Sequence, residues 1–496
     1  MVETGCGEAA IGALSIRTDV LPARLATGLI GCWLFLSLGG APSVAESADW
    51  QSVRIDGVPH VRQKPDFCGE ACAEMYLRKL RVPLDQDAVF DLSGLDPVLG
   101  RGCYTRDLIR ALRTIGFDTG SVWSEIPVRD ATSKLNEVFA ALHADLVAGV
   151  PSIVCMRYDD RPDPTEHFRL VLGYDAGTDD VLFHDPAIAD GAYRRMARSQ
   201  FLKLWPLKYA AEKWKLVRLR LDGTETLGRT AKGRPHNAAF AQHILKLRAK
   251  LPNDNFVIVL QRPFVVIGNE DRETVKRHAE DTVKWAVERL KQDYFRRDPS
   301  QIIDIWLFQD APSYEENAEK LFGARPSTPY GYYLSRHHAL VMNIATGGGT
   351  LVHEIVHPYI AANFPECPSW FNEGLASLYE ASGERDGHII GLVNWRLPAL
   401  QRALRKGSVP PFKALCETTT DEFYNHDGGT NYARARYLCY YLQEHGLLTR
   451  FYQTFRRNVA SDPTGYETLK SILREEDMVE FQKRWKDFVL ELKFEG

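Results

Sequence analysis

The chain has no block of basic residues, no internal repeat and no long low-complexity tract. The first absence excludes the electrostatic footprint of a nucleic-acid binder. The other two leave ordinary globular domains, and 496 residues give room for about two to four of them. The composition agrees: 45% hydrophobic, 25% charged, and a net charge of only −4. Past residue 50 no apolar run is long enough to span a membrane, and no Gly-Lys-Ser/Thr loop is present to cradle a phosphate. Cysteine is sparse. Of nine, Cys6 and Cys32 fall in the N-terminal segment, which leaves Cys68, Cys72, Cys103, Cys155, Cys367, Cys416 and Cys439. That odd number leaves at least one thiol without an intramolecular partner, and Cys68 is the one expected to be free.

The one marked apolar run is Leu25–Leu38, preceded by Arg17 and Arg24. It is short for a span and suits the core of a signal peptide, with Ser43-Val44-Ala45 as the small residues of a cleavage site. Residues 1–45 are therefore read as a signal peptide and the protein as secreted or periplasmic, with no membrane association after its removal. The stretch before Arg24 is long for a leader, so an uncleaved anchor holding the protein at the membrane is the alternative.

The most informative stretch is Leu351–Glu380, LVHEIVHPYIAANFPECPSWFNEGLASLYE. His353 and His357 are four apart and share one helix face, where two neutral imidazoles can grip a zinc ion. Glu354 between them can act as general base on water. Glu373, in Asn372-Glu373-Gly374-Leu375-Ala376, offers a third ligand from a second amphipathic run. Three protein ligands leave a position open, as catalytic zinc requires. This stretch resembles the gluzincin metallopeptidases. The resemblance implies Zn2+ on His353, His357 and Glu373, Glu354 as the base, and a thermolysin-like core of mixed sheet plus helices. It also implies that Ala339–Ala345 is an edge strand receiving the substrate backbone. Tyr432 matches the tyrosine that stabilises the tetrahedral intermediate in related enzymes, and equally fits a helix-packing aromatic. Pro358 departs from the pattern. A proline inside a helix costs about 3 kcal/mol, so the helix is expected to bend or stop after His357.

Nearer the N-terminus, Cys68 opens a helical run through Leu80, where amides and dipole lower a thiol's pKa. Gln63 lies five residues upstream, within reach of an oxyanion. His167 opens one apolar strand and Asp185 ends the next, so a hairpin could set imidazole beside carboxylate. Taken singly, a buried structural cysteine and a satisfied histidine explain these residues as well. Their order resembles papain-like cysteine peptidases of the bacteriocin-leader-processing type, over most of residues 56–190. The resemblance assigns Cys68 as nucleophile, His167 as base, Asp185 as orienter and Gln63 as oxyanion donor. Transporter-linked members add membrane spans and an ATPase. With neither here, coupling to export is not expected.

Asp222–Pro235 is rich in Gly, Thr and charge and reads as a linker. The sequence thus predicts an α+β protein of two domains. A papain-like cysteine peptidase-like domain fills residues 51–222, a linker 223–235, and a gluzincin-like zinc metallopeptidase domain 236–496. The expected function is peptide-bond hydrolysis on a peptide or protein substrate, with no nucleic-acid partner. The alternatives are a peptide-binding pseudo-peptidase, or a cysteine-dependent amidase or acyltransferase acting on cell-wall peptides.

Overall fold

The structure, a computed structural model, describes residues 50–223, 227, 236–425 and 430–494. The segment read as a signal peptide and most of the linker lie outside them. The chain forms two compact units that divide between Leu245 and Lys246.

In the first unit, the apolar runs Ser152–Arg157 and Glu166–Asp175 are almost wholly buried, which places them centrally in a sheet covered on both faces. Among the described residues this sheet has seven strands. Its order is Trp123–Pro127, Lys213–Arg220, Ser152–Arg157, Glu166–Asp175, Asp180–His184 and Arg194–Ala197, with Val53–Arg54 pairing beside Glu166–Asp175. Every pairing is antiparallel. The helix Cys68–Lys79 packs on the Glu166–Asp175 strand, and Gly69 makes the approach possible. A Cβ there would come within 2.7 Å of Leu108 Cδ2 and 3.1 Å of Phe168 Cδ2. This contact brings Cys68 to the strand that carries His167. The helix Asn237–Arg248, expected to open the second domain, packs its first turns on this unit: Ala238 and Ala241 join the core, and Gln242 Nε2 donates to Pro65 O at 2.8 Å.

In the second unit, a five-stranded sheet runs Val257–Gln261, Phe264–Gly268, Ile303–Phe308, Ala339–Asn343, Gly331–Leu334 among the described residues. The strand Ala339–Asn343 is therefore not an edge. It pairs parallel with Ile303–Phe308 and antiparallel with Gly331–Leu334, so its backbone is already committed on both sides. The chain reaches it through a hairpin, which leaves the earlier strand, Gly331–Leu334, outermost. Helices Gly349–Asn363 and Ser369–Leu378 follow, then a mainly helical remainder to Glu491. The first of these does not stop at Pro358 but continues to Asn363. Proline leaves the Glu354 carbonyl without its helical donor. Burial of Pro358, Tyr359 and Ile360 in the core offsets that loss, because packing rather than propensity carries most helical stability.

Candidate active sites

Cys68 sits at the first position of its helix, and no side chain caps the Phe67 end. It is 2% exposed and His167 is 1% exposed. The imidazole is hydrogen-bonded to the Cys68 thiol, and its Nε2 meets Asp185 Oδ1 at 2.8 Å, so Nδ1 is the nitrogen left for the sulfur. The register explains the meeting: Leu170 pairs with His184, which brings Asp185 alongside the residues just before Leu170. Asp185 is fixed further by Arg169 Nε at 2.9 Å and the Ala187 amide at 3.0 Å, and its carbonyl meets His60 Nε2 at 2.8 Å. Burial alone would raise the Asp185 carboxyl, but His167 and Arg169 hold it well below the usual carboxylate range. Burial opposes the charged form of His167, yet its bonds to Asp185 and Cys68 raise it above the ordinary value. Gln63 is tied to this site by its backbone, donating to Pro186 O at 2.9 Å, while its Oε1 is buried without a hydrogen-bond partner.

In the second unit, donor atoms of His353, His357 and Glu373 lie within 4.8 Å of one another. Helical spacing puts the two imidazoles one turn apart, with ring centroids at 4.9 Å, and Ser369–Leu378 carries Glu373 across to them. Glu373 Oε2 is 3.3 Å from His353 Nε2 and Oε1 is 3.9 Å from His357 Nε2. Glu354 Oε2 lies 3.9 Å from His357 Nε2. The opposite ring nitrogens face other groups: His357 Nδ1 meets Asn372 Oδ1 at 3.0 Å, and His353 Nδ1 lies 3.3 Å from Glu380 Oε1, an ion-pair contact without hydrogen-bond geometry. Each imidazole thus turns its Nε2 toward Glu373, the orientation that outer partners impose on ligating histidines.

Glu380 reaches its position because Gly349 starts the His353 helix. A Cβ at Gly349 would stand 2.0 Å from Glu380 O, so the two backbones touch. Arg396 then clamps the Glu380 carboxylate at 2.8 and 2.6 Å, and Asn394 Nδ2 adds a bond at 3.1 Å. Tyr424 donates to Glu373 Oε1 at 2.6 Å. Burial would raise both acids, but Arg396 and His353 lower Glu380 to about 2, and His353, His357 and Tyr424 lower Glu373 to about 2. Burial would lower His353, but Glu373 and Glu380 raise it to about 10. The residues fit a zinc ion. Two nitrogens and a carboxylate oxygen are its preferred donors, and Glu373 Oε2 is buried without a hydrogen-bond partner, off bonding geometry to His353. A cleft of about 480 Å³ opens beside them, lined by His353, Glu354, Glu380, Tyr330, Trp395 and Tyr432.

Residues 55–211 match the Peptidase_C39 like family. Within the first unit, this region is C39-peptidase-like. Among solved structures it is similar to the peptidase domain of Streptococcus ComA, described as a bi-functional ABC transporter involved in a quorum sensing pathway. That similarity covers 32% of this chain and 98% of that one, at 15% identity and a TM-score of 0.21. No curated protein matches the chain.

Of the residues expected from sequence, Cys68, His167 and Asp185 converge, as do His353, His357, Glu373 and Glu354. Tyr432 borders the cleft with its ring under the Arg396 guanidinium at 5.1 Å. Sequence reasoning missed Arg169, Glu380, Arg396 and Tyr424 and gave Asn372 no role. Arg169 carried a legible signal, since it follows His167 by two on one strand and so shares its face. Asn372 adjoins Glu373. Glu380, Arg396 and Tyr424 carried none, because each arrives through a turn or a separate helix.

Proposed function

We propose that the chain is a secreted or periplasmic hydrolase of peptide bonds with two sites, a cysteine peptidase in the first unit and a zinc metallopeptidase in the second. The observation that supports this most directly is the convergence of His353, His357 and Glu373 donor atoms within 4.8 Å beside a cleft that Glu354 also lines. In the first unit, the Cys68 thiol gives its proton to His167 and the sulfur attacks the scissile carbonyl. Asp185 holds the imidazole, which then protonates the departing amine. Water resolves the acyl-enzyme, and the Gln63 amide is the candidate donor to the oxyanion.

In the second unit, His353, His357 and Glu373 would hold zinc. When bound, the ion supplies Lewis acidity and an open coordination position. Glu354 takes a proton at its carboxylate from the attacking water and returns it to the leaving amine. Tyr432, which lines the cleft, is the candidate donor to the developing oxyanion. The free edge for an extended peptide is Gly331–Leu334, whose Gly331 lines the same cleft.

Metal analysis tests the second site. About one zinc per chain is expected, lost in His353→Ala, His357→Ala and Glu373→Ala and kept in Glu354→Gln, which removes the base without removing a ligand. Full zinc content in the His353→Ala, His357→Ala double variant would overturn the site. Iodoacetamide tests the first. Cys68 should label faster than any other cysteine near neutral pH, with the advantage reduced in His167→Ala.

A further inference from the structure

His167 has a strand neighbour that the hydrolytic steps leave unused. Arg169 follows it by two, so alternation puts both side chains on one face, the face that Asp185 meets. One carboxylate is divided between them. His167 Nε2 meets Asp185 Oδ1 at 2.8 Å, and Arg169 Nε donates to Oδ2 at 2.9 Å. The other guanidinium nitrogens reach backbone, Nη1 to Arg157 O at 3.4 Å and Nη2 to Tyr158 O at 3.1 Å. The Tyr158 ring stands edge-on to His167 at 5.3 Å, with Arg169 Cζ 5.2 Å from its centroid. Arg169 is 4% exposed, so water does little to offset its charge.

A charge count shows what this buried guanidinium does. With the thiol protonated and the imidazole charged, Cys68, His167, Asp185 and Arg169 carry one net positive charge. When the thiol loses its proton the four together are neutral. Without Arg169, the same loss would leave one buried negative charge uncompensated.

We propose that Arg169 is a positioning residue of this site. It fixes the Asp185 carboxylate toward His167, and it supplies the charge that balances Asp185, so that the four residues together are neutral when Cys68 is a thiolate and His167 an imidazolium. The inference rests on the cysteine peptidase reading of the first unit. The other titratable groups packed around the four are Cys72 and Glu70 of the Cys68 helix, His60 and His184 beside Asp185, and Tyr158. Burial keeps the Cys72 thiol protonated, raises Glu70 to about 8 and, with His60, lowers His184 to about 4, so these three bring no full charge near neutral pH.

The test is the pH dependence of Cys68 alkylation by iodoacetamide, read on the Cys68 peptide by mass spectrometry from the full chain. Arg169→Met should move the midpoint up by about one pH unit or more, because a cation that favoured the thiolate is gone. Arg169→Lys keeps the charge and should stay close to wild type. Asp185→Asn should move the midpoint down, and the double variant Arg169→Met, Asp185→Asn, which removes opposite charges together, should return toward wild type. A merely structural role predicts weaker labelling at every pH with an unmoved midpoint, and that result overturns the proposal. Should Arg169→Met fail to fold, the double variant decides: a midpoint displaced upward by a unit overturns the charge role. If wild-type Cys68 labels no faster than the other thiols, the cysteine peptidase reading itself fails. An unmoved midpoint in Arg169→Met beside a reactive wild-type Cys68 removes only the role of Arg169.

Discussion

At the scale of single residues, the second nitrogen of each imidazole decides what the first can do. Glu380 stands 3.3 Å from His353 Nδ1 and is itself held by Arg396 and Asn394, so the ring is oriented from behind. Outer partners of this kind are worth about 10- to 100-fold in metal affinity. Glu380→Ala should therefore weaken zinc binding by about that factor in a competition titration against a chromophoric chelator, while leaving all three ligands in place. Unchanged affinity would mean that packing alone orients His353. Asn372→Ala should act in the same direction through His357 Nδ1, and more weakly, since a neutral amide acceptor replaces a carboxylate.

At the scale of elements, the Cys68 helix carries one buried acid in its first turn, Glu70, and is preceded by a half-buried one, Asp66. Glu70 Oε1 accepts from the Cys103 amide at 2.7 Å, and Asp66 Oδ2 accepts from the Gly102 amide at 2.8 Å. Together they bind the consecutive amides of Gly102 and Cys103 to the segment that presents the nucleophile. Burial raises Glu70 from 4.5 to about 8 and Asp66 from 3.8 to about 6. In both cases the folded state keeps a proton that the unfolded chain gives up. Stability from Glu70 is thus fully present below about pH 4.5 and is lost as pH rises toward 8. Glu70→Gln keeps an acceptor for the Cys103 amide without the charge. Its melting temperature should exceed wild type at pH 8, by a margin that shrinks toward pH 5. The difference between the two proteins isolates Glu70 from His184, whose lowered value pulls the other way below its ordinary 6.5. Equal melting curves across this range would show that Glu70 is charged and compensated. Gly69→Ala probes the same element, because its Cβ would meet Leu108 and Phe168. A loss of about 1–3 kcal/mol is expected in denaturant unfolding, with slower Cys68 labelling as the helix is pushed from the His167 strand.

At the scale of the whole molecule, the proposed chemistries share no residue, and each core is drawn from one unit. A strong chelator should lower only one of two thermal transitions and silence only the metallopeptidase activity, while a thiol alkylator should silence only the other. A single transition moving as a whole on chelation would refute this independence. Where the chain is divided matters. A first half ending at Pro235 loses Ala238 and Ala241 from its core, as well as the Ala238 amide bond to Asp91 at 2.8 Å. It should be less stable than a half extended through Lys250 by about 1–2 kcal/mol, measured by urea unfolding of the two fragments.

The sequence alone determined whatever local spacing encodes. The i, i+4 pair His353 and His357, the cysteine at a helix start, and the strands around Ile153, Val171, Ile305 and Val341 follow from periodicity and from backbone preferences acting within a few residues. Even the third proposed ligand was legible as a candidate, since Asn372-Glu373-Gly374 lies in a second amphipathic run. Tertiary structure decided what depends on which distant backbones meet. Among the described residues, pairing order made Gly331–Leu334 an edge strand and committed Ala339–Asn343 on both sides. Packing of its flanks carried the helix through Pro358, against the local cost of a proline. The approach of two backbones at Gly349 set Glu380 behind His353, and strand register set Arg169 beside Asp185. These outcomes rest on contacts between residues far apart in the chain, whose partners are chosen by burial and pairing of the whole fold and leave no periodic mark on either segment.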